Sequence, residues 1–157
     1  MIARLARSIA SGVVATTAMS LVIVGGKEAG FLVEPPPKQI SARAARKVGL
    51  PPRKAPETFQ AAWIGAHYGY GTAFALVYDI LWRRWVSKSP AFAVLYGVLL
   101  WAVSYFGIMP MMGLFPPPHR DSLRRQGVMV VAHLVYSFAL WTAAALWGDN
   151  RETKISP

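Results

Sequence analysis

The residues of this chain best suited to chemistry are two histidines in matching settings. Ala66-His67-x-x-Tyr70-Gly71-x-Ala73 aligns with Ala132-His133-x-x-Tyr136-Ser137-x-Ala139 at an offset of 66. An imidazole titrates near neutral pH, so a pair could carry protons along a path. It could also ligate haem iron or a metal. Its commoner role inside an apolar helix is structural, bonded to a Ser, Thr or Tyr of a neighbouring helix. Tyr70 and Tyr136 follow each histidine by three and share these roles. A second string also repeats: Pro35-Pro36-Pro37-x-x-x-Ser41-x-Arg43 and Pro116-Pro117-Pro118-x-x-x-Ser122-x-Arg124, at an offset of 81. It offers Arg43 and Arg124, which with nearby helix N-termini could hold an anion or a lipid head group.

Other chemistry is missing. The sequence has no hydrolase motif, nucleotide-binding loop or paired carboxylates, so no catalytic residue is assigned and no enzyme is expected. The chain has no cysteine, which excludes disulfides, thiolate metal sites, iron–sulfur clusters and covalently attached haem c. Two histidines leave most metals short of ligands, so no metal site or cofactor is assigned. Bis-histidine haem b stands as a subsidiary alternative.

The elements that position these residues follow from the placement of charge. Four windows contain no Asp, Glu, Lys or Arg: residues 8–26, 58–78, 89–119 and 126–148. All 24 charges therefore fall outside them. A soluble amphipathic helix shows charge every turn or two, whereas uncharged apolar stretches of 18 or more read as transmembrane helices. The windows predict four membrane-spanning helices at about residues 9–25, 61–81, 90–109 and 127–147. Trp63 and Trp82 bracket the second, about 28 Å apart at 1.5 Å per residue, which suits indoles at both interfaces. Asp79 precedes Arg83 by four and is expected to pair with it at the helix end. Residues 87–89 form a tight turn, so the second and third spans make an antiparallel hairpin. The first span follows Arg4 and Arg7 but lacks an Ala-x-Ala cleavage site, so it is expected to remain uncleaved.

Small residues spaced by four, Ser8, Gly12, Thr16 and Ser20 in the first span and Gly65, Gly69 and Ala73 in the second, predict helix-packing faces. Proline triplets cannot lie in a helix interior. Residues 108–118 are expected to break the third span and dip into the interface. Residues 38–48 and 119–126 read as short amphipathic interfacial helices.

The two strings recur in the same order, which indicates duplication. The chain then forms a single membrane domain over 1–157, with repeat 1 at about 8–82, repeat 2 at about 90–148 and a tail at 149–157. Each repeat is helix, Pro-Pro-Pro turn, amphipathic helix, helix. Two spans per unit return the chain to its starting side, so the repeats are parallel about an axis along the membrane normal. His67 and His133 should then face the interior at equal depth.

The net charge of +10 does not imply nucleic acid. The basic residues lie in short loops beside apolar spans, where they meet anionic lipid head groups. On the side bearing both termini, seven Lys and Arg crowd about 25 residues, against ten in the longer loops of the other side. Density favours both termini in the cytoplasm.

Trp101-x-x-Ser104-Tyr105, Pro110, Gly113-Leu114-x-Pro116-Pro117 and Ala132-His133-Leu134-Val135 resemble the YagU-like family of bacterial inner-membrane proteins, a domain of unknown function. Pro35-Pro36-Pro37-Lys38-x-Ile40 and His67-x-x-Tyr70-Gly71 extend the likeness over most of the chain. The resemblance implies a multi-pass protein of the bacterial cytoplasmic membrane and carries no activity. The residues and the resemblance together indicate an all-α four-helix bundle. It is either a structural, lipid- or anion-binding component, with homo-oligomers conceivable, or a small transporter or channel with a histidine-lined path. A water-filled cleft between the histidines would favour the second.

Overall fold

The computed structural model describes residues 2–50, 56–85, 89–115 and 118–148. The long apolar windows form helices, since a charge-free backbone in an apolar setting must satisfy its own hydrogen bonds. The elements are α1 (Ile2–Glu28), α2 (Pro36–Lys47), α3 (Pro56–Trp85), α4 (Pro90–Ala102), a π-helical turn (Val103–Ile108), α5 (Met109–Met111), a 3-10 turn (Pro118–Arg120) and α6 (Leu123–Gly148). No strand occurs among the described residues. Pro116, Pro117, the 86–88 turn, the side chains of Trp82 and Arg83, and the tail at 149–157 lie outside them.

Among the described residues, three helices are long and apolar enough to cross a membrane: Ile2–Glu28, Pro90–Met111 and Leu123–Leu146. The expected fourth, α3, has the length at 30 residues. It is less apolar, because His67, Tyr68, Tyr70, Tyr78 and Asp79 fall among its alanines and glycines. The outward faces are apolar, with Leu21, Leu95, Leu99, Phe106 and Leu146 all more than half exposed. Exposed apolar surface on this scale marks a membrane protein.

Local chemistry sets the helix ends. Pro36 and Pro90 stand in first turns, where a missing N–H costs nothing. Ser89 caps α4 by accepting from Ala91 N at 3.2 Å. Beyond α4 the expected break at Pro110 does not occur where the proline stands. The helix continues to Met111, and the adjustment is made one turn earlier by the π-helical segment. Proline clashes with the carbonyl four residues back, and the wider π turn relieves that clash while keeping the helix going. Gly113 then ends the segment at φ +62. Leu114 N donates to Met109 O at 2.9 Å and Gly113 N to Pro110 O at 2.8 Å, the paired closure that a left-handed glycine permits. The expected separate helix at 119–126 is also absent. Pro118–Arg120 is a single 3-10 turn, and Leu123 onward is already α6, because Ser122 accepts from Arg125 N at 3.3 Å and starts the long helix there.

In the bundle, α1 packs closely on both α3 and α6, and α6 also packs on α4. Close approach is made by small residues. A Cβ on Gly12 would lie 2.8 Å from the Thr72 backbone, and one on Gly97 would lie 2.9 Å from His133 O. Thr16 of α1 sits against Gly71 of α3, and Ser137 of α6 sits against Gly97 of α4. The first-span strip is thus a contact face, with Ser8, Gly12 and Thr16 buried. The α3 strip is not. Gly65 and Gly69 have nothing within 4 Å of a built Cβ and Ala73 is exposed, because α3 turns Gly71, Thr72 and Ala75 toward α1 instead. Between α3 and α4 the gap is wider and bridged by rings. Tyr78 lies 5.4 Å from Phe92 and 4.9 Å from Tyr96, and Tyr96 donates to Phe74 O at 2.6 Å. Asp79 pairs with Arg4 of α1 at 3.5 Å.

Candidate functional site

Helices α1, α3, α4 and α6 line a half-open cavity of about 220 Å³, with α2 across one end. Met19 and Ile23 of α1 and Met129 and Tyr136 of α6 contribute to its wall, as do Phe74 of α3 and Leu100 of α4. Pro36, Pro37 and Ile40 of α2 and Phe115 complete it. Both histidines line it, His67 from α3 and His133 from α6. The structure thus brings together residues 66 positions apart in sequence.

Each histidine is held by a hydrogen bond that determines its tautomer. Ser20 Oγ donates its proton to Thr16 O at 2.7 Å. It lies 3.1 Å from His67 Nε2 and can only accept there, so His67 carries its proton on Nε2. His133 Nδ1 is 2.7 Å from Met129 O. A carbonyl only accepts, so His133 is protonated on Nδ1. Of the tyrosines, Tyr70 OH shares a bond with Ser104 Oγ at 2.9 Å. Tyr136 is almost fully buried and donates across the bundle to Gly71 O at 2.5 Å.

The mouth of the cavity is basic. Arg43 of α2 donates to Leu114 O at 3.2 Å and lies over the Phe115 ring at 5.3 Å. Lys47 donates to Met112 O at 2.5 Å. These cations hold the carbonyl end of the α5 segment, where helix geometry leaves acceptors free. Arg124, expected as the partner of Arg43, is exposed and takes no part. Arg125 occupies the inner position, 3.9 Å from the Phe115 ring and 3.5 Å from Asp121. Tyr105 OH donates to the same Asp121 carboxylate. The sequence signal for Arg125 was helical phase: residues 125, 129 and 133 rise one turn apart on one face, and 124 does not share it. Trp101 and Phe115 were not singled out as site residues, because an aromatic side chain reads equally as core.

The proline turns divide. Pro36 and Pro37 line the cavity, Pro35 precedes α2 as its cap residue, and Pro118 opens the 3-10 turn. Among the described residues no group of three His, Cys, Asp or Glu could hold a metal ion. The cavity, at about 220 Å³, is smaller than the roughly 300–1,000 Å³ that drug-sized ligands occupy.

A family model described as a protein of unknown function (DUF1440) matches residues 32–143. The chain belongs to that family. The match runs from the loop before α2 through most of α6, and so takes in both histidines and the wall of the cavity apart from its α1 residues. No curated protein and no solved structure matches the chain.

Proposed function

We propose that this DUF1440 protein is a non-enzymatic, multi-pass component of the bacterial cytoplasmic membrane whose bundle holds a lipid-like guest. One observation carries the reading: the cavity wall is largely apolar and aromatic, its polar members are neutral (Ser41, Ser104, the tyrosines and the two histidines), and it contains no Asp, Glu, Lys or Arg. An apolar cavity does not retain water or ions, and it accepts apolar molecules. The same observation weighs against a hydrated transport path, although both histidines share the cavity and keep the histidine-lined path as the second reading.

Four spans and a duplicated architecture belong to this proposal. At 1.5 Å per residue, the 30 residues of α3 rise about 45 Å, more than a bilayer core. Its neighbours α1 and α6 supply the company that a less apolar span needs. Duplication is supported by a matched contact. Thr16 against Gly71 in the first unit corresponds, through the offsets of 81 and 66, to Gly97 against Ser137 in the second. The glycine and the hydroxyl residue have exchanged helices while the packing is kept. The YagU-like resemblance supports the bacterial inner membrane, and the Lys and Arg density supports both termini in the cytoplasm. Arg43 and the exposed Arg46, Lys47, Arg120 and Arg124 supply contacts for anionic head groups. The open Gly65 and Gly69 face of α3 is where a second copy would pack.

Purification in mild detergent followed by native mass spectrometry tests the reading. The wild-type protein is expected to retain a lipid-like molecule. Met129→Phe, which fills the cavity from a wall position, should lose it while remaining folded. Wild-type protein that is folded yet free of any guest would overturn the proposal.

A further inference from the structure

Most polar side chains of the cavity wall have a partner within the protein. Tyr136 is committed to Gly71 O, Tyr105 to Asp121, and Tyr70 and Ser104 to each other. His67 spends its proton on Ser20. His133 spends its proton on Met129 O, which leaves the Nε2 lone pair without a partner among the described residues. That side chain is only 7% exposed and lines the cavity. The Trp101 side chain lines the same cavity, but its unpartnered Nε1–H is buried away from the surface. The His133 lone pair is therefore an idle acceptor on a largely apolar wall, whose other polar groups include the Ser41 hydroxyl and the second ring nitrogen of His67. Buried polar groups are normally paired, and an unpaired one in a native protein signals a missing partner.

The missing partner is constrained by charge and size. With no cation in the wall, a carboxylate or phosphate would be buried uncompensated beside a lone pair. With no anion, an ammonium fares no better. A group that donates to His133 Nε2 without bringing charge, on a molecule that fills an apolar space larger than one water, is a neutral hydroxyl. An engineered apolar cavity of about 150 Å³ takes benzene, so about 220 Å³ takes a larger ring system. We infer that the guest is a neutral, membrane-soluble phenol or alcohol whose hydroxyl donates to His133 while its apolar body fills the cavity. This rests on the guest-binding reading above and adds the chemistry of the head.

The test uses the full chain in detergent and three probes of one size: naphthol, fluoronaphthalene and naphthoate. Affinities are read by calorimetry against the micelle alone. Naphthol should bind about five- to tenfold more tightly than fluoronaphthalene, the effect of one buried hydrogen bond, and naphthoate should bind least. His133→Phe keeps a ring and removes the acceptor. It should bring naphthol down to the affinity of fluoronaphthalene while leaving fluoronaphthalene within about twofold of wild type, as a lost hydrogen bond requires. His133→Leu should abolish the preference for naphthol in the same way, and it carries the test if His133→Phe does not fold. Equal binding of naphthol and fluoronaphthalene by the wild type, or an undiminished preference in the folded variants, overturns the hydroxyl assignment and leaves the guest-binding reading standing. Failure of all three probes to bind overturns both.

Discussion

Arg125 shows how one side chain can organise a site mouth. It sits on Phe115 at 3.9 Å and beside Asp121 at 3.5 Å. The guanidinium is 16% exposed and the carboxylate 7%. At that burial, removing one partner leaves the other charge uncompensated, which costs more than the pair contributes when intact. Arg125→Ala should therefore destabilise the protein by about 3 kcal/mol in denaturant titration. It should also loosen Phe115 over the cavity. Arg124→Ala, one residue away but exposed, should change stability by less than about 0.5 kcal/mol. Equal effects would mean that the inner position of Arg125 carries no stability. The Pro-Pro-Pro-x-x-x-Ser-x-Arg alignment pointed to Arg124 because aligned strings record identity and not phase. Ser122 starts α6, and the helix then turns the next residue inward. The histidines were legible because a polar ring in an uncharged span has few places to go. The unpaired Nε2 of His133 was not legible. It depends on which carbonyl lies within reach, and here that is Met129 O on its own helix.

At the scale of helices, the charge-free windows located α1, α3, α4 and α6, although α1 starts at Ile2 and α4 gives way to the π turn after Ala102, and the proline triplet located the start of α2. Where packing decides, the sequence was ambiguous. Both spaced-by-four strips obey the same rule, yet a helix with small residues on two faces can use either. In α3, Gly71 meets Thr16 and Gly12 meets Thr72, so Gly65 and Gly69 are left on the outside. The consequence is measurable. Gly12→Leu places bulk where even a Cβ would lie 2.8 Å from the Thr72 backbone, and α1 and α3 must separate. A loss of roughly 2–3 kcal/mol or failure to fold is expected, as for overpacking of a filled core. Gly69→Leu meets open space within one chain and should leave the melting temperature of the monomer within about 2 °C, the range of ordinary surface substitutions. A melting temperature equally lowered in both would mean that the outer face of α3 is covered in the folded protein. The π turn at Val103–Ile108 was hidden for a related reason. Pro110 announces a disturbance, but the sequence does not say whether the helix breaks at the proline or widens one turn before it.

For the molecule as a whole, the decisive quantity is the number of crossings, and it turns on α3. Three helices meet the length and apolarity of a membrane span on composition alone. α3 packs closely on α1, its rings bridge to α4, and its glycines reduce its apolarity without adding charge. Hydropathy counts each residue as if lipid surrounded it. His67 bonded to Ser20 and Tyr70 bonded to Ser104 do not present their polar atoms to lipid, so α3 costs less to insert than its composition suggests. A bundle in which α3 crosses has an even number of spans and returns the C-terminus to the side of the N-terminus. Single cysteines introduced at the exposed Ala3 and at Ser156 of this cysteine-free chain should therefore be labelled from the same side of inverted or right-side-out vesicles by a membrane-impermeant maleimide. A third cysteine at Gln60, at the opposite end of α3, should be labelled from the other side. Labelling of positions 3 and 156 from opposite faces would leave three crossings, place α3 along the interface, and remove the parallel arrangement of the two repeats.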